Sequence, residues 1–205
     1  MNRIDTSKFS IYLRGFQEDD YKVINFWRND PEIQKLVSTS FKYVSEAIEK
    51  EWVKQKMMDN RKDIYLAICL KKNDRMIGYL SINGIDYINR SATAGGIVID
   101  KEFQDGIIKY EAGVLSRELV FDHLNLNRLT AHCLTSNITS SLIMEATGYV
   151  KEGKKRQSIY KDGEYHDQFI YSLIREDYYK FKSIGYYLFK NYIKRIKSLR
   201  KLNLD

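Results

Sequence analysis

Apolar and polar positions alternate over residues 9–14, the period-two pattern of a strand. The acidic run Glu18, Asp19, Asp20 then opens a helical stretch that reaches Trp27 and stops before Pro31, the only proline of the chain. Ser45, followed by Glu46 and Glu49, fits the start of a second helix, with Trp52 and Val53 on its inner face and an end expected near Asp59. Residues 64–70 and 76–85 are apolar runs around the turn Lys71, Lys72, Asn73, Asp74 and predict an antiparallel hairpin, followed by a strand over 91–100. Between Tyr110 and Leu124 the residues Ala112, Leu115, Leu119 and Val120 recur at helical spacing, and residues 128–135 are again strand-like. A strand-helix-strand crossover therefore stands in the middle of the chain. Asn137 is placed to cap a short helix, Gly148 to end it where a left-handed residue is favoured, and strands over 150–160 and 164–174 flank the turn Lys161, Asp162, Gly163. The predicted order is β-α-α-β-β-β-α-β-α-β-β, an α/β (α+β) fold with a mixed, mostly antiparallel sheet flanked by helices.

Composition narrows the class. At 205 residues, 43% hydrophobic and 30% charged, the chain can bury one core and reads as neither disordered nor membrane-embedded. The first ten residues have no apolar stretch behind their positive charge and no segment approaches a bilayer span, so a cytoplasmic address is expected. Cys69 and Cys133 sit inside apolar runs without Cys or His at ligand spacing, which predicts buried thiols and no metal site.

The net charge of +7 is unevenly placed. From Glu176 onward eight Lys/Arg face three acids, which is +5 of the +7, so the body is nearly neutral and no nucleic-acid partner is expected of it. Residues 186–202 interleave Phe189, Ile193, Ile196 and Leu199 with Lys190, Lys194, Arg195, Lys197, Arg200 and Lys201, a basic amphipathic helix. We divide the chain into a domain over 1–176 and this tail over 177–205. The tail is open to three uses: packing on the domain, packing on a second subunit of a homodimer, or a weak contact with an anionic membrane surface or RNA.

Several local strings match one family in order and spacing. They are Ile99-Asp100-Lys101-Glu102-Phe103-Gln104, Tyr110-Glu111-Ala112, Leu126-Asn127-Arg128-Leu129, Asn137 with Ser140, Glu145, Gly148-Tyr149 and Glu152-Gly153. With the element order, they make residues 9–175 resemble the GNAT superfamily of N-acetyltransferases. The closing hairpin, Asp162-Gly163-Glu164-Tyr165-His166-Asp167 and Tyr171-Ser172-Leu173, resembles the branch that acetylates ribosomal-protein N-termini, spermidine and amino sugars. The resemblance implies acetyl-CoA as the cofactor and a sheet splayed between its fourth and fifth strands. The pantetheine arm would lie along the backbone of Ile97, Val98 and Ile99, and the pyrophosphate on the loop Gln104, Asp105, Gly106, Ile107, Ile108, Lys109 at the start of the next helix.

That loop departs from the family pattern, which places glycines where Ile107 and Lys109 stand and leaves only Gly106, one position early. Either the phosphates are cradled by a shifted nest of amides with Lys109 adding charge, or the site is impaired and the domain only binds. Acetyltransferases of the pseudaminic-acid pathway, which act on nucleotide-linked amino sugars, also carry an irregular loop here. They share an Arg-Asn-x-Pro string matched by Arg28, Asn29 and Pro31, which would grip phosphate or sugar hydroxyls, or else simply stop the helix with Arg28 on a carboxylate.

Acetyl transfer to an amine needs a neutral amine, a stabilised oxyanion and a protonated leaving thiolate. The family's tyrosine acid falls on Met144 and its glutamate base on Ala94, so neither role is filled by the usual residue. Asn137 and Ser140, with Met144, fall where the resembling enzymes contact the cofactor, although helix capping explains the first two as well. Asn137 and His132 are the catalytic candidates; His132 alternates with Thr130 and Leu134 on the strand bordering the cleft and titrates near neutrality. Tyr79 joins Arg28 and Asn29 as a candidate for the acceptor. The expected activity is acetyl-CoA-dependent N-acetylation of a small-molecule primary amine, a nucleotide-linked amino sugar ahead of a protein N-terminus or polyamine, with a non-catalytic module as the rival.

Overall fold

The fold is described here from a computed structural model covering residues 3–36, 43–58, 61–104 and 106–202. A short β1 (Arg3–Ile4) precedes β2 (Ile11–Gly15), in which Ile11 and Leu13 turn to one face and Tyr12 to the other. The acidic run forms a 3-10 turn (Glu18–Asp20), and Asp20 there closes a buried bidentate pair with Arg14 at 2.7 and 2.9 Å. Then follow α1 (Tyr21–Arg28), α2 (Pro31–Leu36) and α3 (Glu46–Met58), the last started by Ser45, whose Oγ accepts from Ile48 N. The expected end near Asp59 lies outside the described residues.

The hairpin β3 (Ile64–Leu70) and β4 (Met76–Asp86) and the strand β5 (Ser91–Ile99) continue the antiparallel half of the sheet. The crossover helix α4 (Ile107–Glu118) starts three residues earlier than the apolar spacing suggests and ends in a π turn (Leu119–His123) before β6 (Arg128–Leu134). Next come α5 (Ile138–Ala146), β7 (Val150–Lys161) and β8 (Glu164–Ile174). Among the described residues the strands form one sheet in the order β1-β2-β3-β4-β5-β6-β8-β7, with β5 and β6 its parallel neighbours and the others antiparallel.

Period-two alternation splits the core between the two faces. Leu66, Ile68, Ile77, Leu80, Leu129, Ala131 and Cys133 meet the inner face of α4 through Ile108, Ala112 and Leu115. Tyr12, Ala67, Cys69 and Met76 meet Ile24 and Trp27 of α1 and Val53 of α3 on the other face. Both cysteines are buried free thiols, and burial pushes each above its ordinary value.

The tail forms two helices where one was expected. Arg175–Ser183 is α6, and α7 (Phe189–Leu202) begins three residues after Tyr186. Tyr192 of α7 packs with Tyr110 and Val114 of α4 and Ala146 of α5.

Candidate active site

The site opens where β5 leaves β6. Their parallel register lasts three pairs, Ser91↔Arg128, Ala92↔Leu129 and Thr93↔Thr130. On its other edge β5 stays paired with β4, but Ala94 opposes Ile82 while Ile97 opposes Leu80, so β5 spends one residue more than β4. The surplus falls on Gly95 and Gly96. Gly96 has φ +95 with nothing near the place of a Cβ, whereas a Cβ on Gly95 would come within 2.0 Å of Ser81 Oγ. A bulge built on a positive-φ glycine bends a strand. The bend comes directly after the last pair with β6, and Ile97, Val98 and Ile99 have no register partner in β6. That edge fits an extended, amide-bearing chain such as pantetheine, which would add to it as a strand does.

At the C-terminal end of β5 the chain is held by short local bonds. Asp100 accepts from Glu102 N at 3.1 Å and from Trp27 Nε1 at 3.0 Å, and Gln104 Nε2 donates to Ile99 O at 3.1 Å. Gly106, with φ +85, leads into α4, whose positive end therefore lies at the mouth of the gap. Ile107, Ile108 and Lys109 are ordinary residues of the first turn, so no left-handed residue is needed where the family pattern has its glycines; the conformation falls on Gly106 instead. Asp105 lies outside the described residues.

Across the gap stands α5. Asn137 caps it, its side-chain oxygen accepting from Ser140 N at 2.9 Å, which leaves the amide nitrogen without a partner among the described residues. Ser140 is half-buried, and Met144 packs against the main core. One position on, Ser141 Oγ lies 2.5 Å from the hydroxyl of Tyr171, which also donates to Glu145 at 3.2 Å. Burial holds the Tyr171 phenol above its ordinary value and so protonated. No local pattern in the chain marks this pair, because Ser141 and Tyr171, 30 positions apart, meet only once β8 is in place.

His132 lies two residues beyond the last β5–β6 pair, on the face that carries Tyr79 and Val98. Burial lowers its pKa below the ordinary imidazole value, and Lys155, 3.2 Å from Nε2, lowers it further. The ring is thus neutral in neutral solution and able to take a proton. Tyr79 stands opposite Val98, its ring stacked on Trp27, and its phenol is raised by burial.

Arg28 and Asn29 have partners inside the protein. Arg28 lies over the Trp52 ring at 3.9 Å and 3.4 Å from Glu49, a fully buried carboxylate raised by desolvation. Asn29 brackets Val44, donating to its carbonyl at 2.8 Å and accepting from its amide at 3.0 Å. Beside them a cleft of ≈ 480 Å³ is lined by Asn25, Asn29, Asp30 and Lys101 among others. Lys161 reaches from β7 to the carbonyls of Gln34 and Lys35 at the end of α2, tying the β7–β8 hairpin over this side of the sheet. No cluster able to hold a metal exists among the described residues.

A sheet that parts after a glycine bulge, with a helix start at the mouth of the gap and a capped helix opposite, is the architecture of a CoA-dependent acyltransferase. The acetyltransferase (GNAT) domain family matches residues 10–150, and the chain belongs to that family. It is thereby an acyltransferase with acetyl-CoA as its donor. YdaF of Bacillus subtilis (strain 168), named as a candidate ribosomal N-acetyltransferase, is 34% identical over 107 residues, 50% of this chain and about half, 56%, of that protein. The uncharacterized N-acetyltransferase YnaD of the same organism is 24% identical over 168 residues, 82% of this chain and 95% of the relative. In structure, the spermidine N-acetyltransferase of Vibrio cholerae in complex with CoA and spermine superposes with a TM-score of 0.77 at 21% identity, covering 83% of this chain and 98% of that one, a likeness of fold.

Proposed function

We propose that the protein N-acetylates a primary amine on a phosphate-bearing small molecule, with a nucleotide-linked amino sugar as the acceptor. Acetyl-CoA supplies an activated thioester; this chain's residues supply alignment and proton transfer. The free edge of Ile97, Val98 and Ile99 pairs with the amides of the pantetheine arm. Gln104, Gly106, Ile107, Ile108 and Lys109 take the pyrophosphate, with Asp105 in the same loop. Asn137, Ser140 and Met144 border the thiol end, and the free Asn137 amide donates to it. His132, held neutral, accepts the proton of the amine, while Arg28, Asn29 and Tyr79 shape the acceptor side.

The observation that carries the choice of acceptor is Lys155 standing beside His132 with no carboxylate between them. On the same side the acids have partners: Glu49 with Arg28, Asp30 with Lys101 at 2.7 Å, and Glu152 with Arg128. An ammonium with no ion pair among the described residues favours an anionic acceptor and repels a polyamine. The name of YdaF supports a protein N-terminus as the second reading. Thiol release measured with nucleotide-linked amino sugars, N-terminal peptides and spermidine separates them. The expected result is a kcat/KM for the sugar nucleotide at least about tenfold above the others, roughly 1.4 kcal/mol of transition-state preference; turnover of peptides or spermidine alone overturns it.

A further inference from the structure

The basic tail contributes a wall to the groove that begins at the cofactor loop. A cavity of ≈ 240 Å³ has Gly106 and Ile107 on one side and Phe189, Ile193, Lys197 and Arg200 of α7 on the other. Residues 189, 193, 197 and 200 follow one another at helical spacing, so they form one stripe. The two cations lie at its far end from Phe189, are exposed, and form no ion pair among the described residues.

The stripe is firmly aimed. Tyr192 is buried between α4 and α5, and Arg195 donates to the last helical carbonyl of α5, Ala146 O, at 2.8 Å and to Tyr186 O at 2.7 Å while stacked 3.3 Å over the Tyr186 ring. The phenol of Tyr110 donates to Tyr187 O at the entry to α7. Fixing α7 in this way places two positive charges beside the start of α4, in a tail that lies beyond the residues matched by the family.

We propose that α7 binds the adenosine 3′-phosphate end of CoA, with the adenosine against Phe189 and Ile193 and the 3′-phosphate on Lys197 and Arg200. The inference rests on acetyl-CoA being the donor with its pyrophosphate near Gly106. A molecule laid there with its pantetheine along β5 directs its nucleotide outward, and the next anionic group after the pyrophosphate is the 3′-phosphate. Lys197 and Arg200 are three residues apart, about 4.5 Å along the axis, close enough to share one phosphate. Each brings a charge-assisted hydrogen bond to the phosphate.

Calorimetric titration of the full chain with CoA and with 3′-dephospho-CoA tests this without any acceptor. The wild type is expected to bind CoA about tenfold or more tightly than dephospho-CoA. The Lys197→Ala/Arg200→Ala variant is expected to lose that preference and leave dephospho-CoA affinity unchanged, while Lys194→Ala, exposed on the same helix but outside the groove, retains the wild-type preference. Thermal melts of each variant check folding, and both substituted side chains are exposed. If the wild type binds the two nucleotides equally, or the double variant still discriminates, the assignment to α7 is wrong and the donor reading stands. If the wild type binds neither, the donor reading falls and the assignment falls with it.

Discussion

His132 was legible as a residue near neutrality on a strand by the cleft, but its protonation state was not. That depends on Lys155, 23 positions away on another strand, and on burial in the fold. Because both lower the imidazole pKa, the neutral base persists below the ordinary value of about 6.5. If His132 takes the amine proton, the acid limb of kcat/KM lies below that pH. Lys155→Ala removes one of the two causes and moves the limb upward, while His132→Gln lowers kcat by about 10²-fold and abolishes the limb. An unchanged profile in both variants would exclude His132 as the base.

Arg28 had two readings in the sequence, a ligand grip and a bond to some carboxylate. The fold supplies that carboxylate in Glu49, which arrives on α3 and is wholly buried. Removing the guanidinium leaves a buried acid without a counter-charge. Arg28→Met is therefore expected to cost about 3 kcal/mol in chemical denaturation, with Glu49→Gln in the same background recovering much of it.

Among the elements, the β3–β4 hairpin, the crossover and the closing hairpin β7–β8 were readable because period-two and period-3.6 patterns differ so strongly. The boundaries of α4 and β2 moved by two or three residues, since apolar spacing marks the inner face of an element and not its capped ends. The short α2 and the separate α6 carried too little pattern to be foreseen. The splay had a local signal in Gly95 and Gly96, two glycines inside a strand, which the pattern of apolar residues does not register. Gly96→Val should cost about 1–3 kcal/mol from its positive φ. A straightened β5 would also extend its pairing with β6, so CoA affinity should fall further than stability does. Melting curves and CoA titration on the same sample compare the two. Gly148, by contrast, ends α5 as expected with φ +86, and a Cβ there would also meet the Phe181 ring at 2.6 Å. Gly148→Ala should destabilise by about 1–3 kcal/mol and loosen α6.

For the whole molecule, the tail changes meaning once it is placed. As a string it was open to a membrane, RNA, a second subunit or the domain; in the structure Tyr192, Ile196 and Leu199 pack on α4 and α5, Arg195 anchors the helix, and Phe189 stays exposed on the groove side. Arg195→Ala removes two charged hydrogen bonds and a ring contact. We expect a loss of about 2 kcal/mol and faster tryptic cleavage within α7 than in the body, read by time-resolved mass analysis. Equal cleavage rates in the two regions would show that α7 is held by its apolar contacts alone.

Local pattern in the chain was enough for the main strands and helices of the domain, the family and hence the donor, because hydrophobic period, caps and turn residues act over a few positions, whereas the short β1 and α2 and the separate α6 fell below it. The fold alone settles which charges stand together: Lys155 beside His132, Glu49 beneath Arg28, Lys197 and Arg200 beside Gly106. Electrostatic interactions fall off over a few ångströms of space regardless of separation along the chain, so they exist only once the chain has folded. The loop that lacked its glycines illustrates both halves. Its composition was evident at once, but only the fold assigned the left-handed turn to Gly106 and made Ile107 and Lys109 the first turn of a helix.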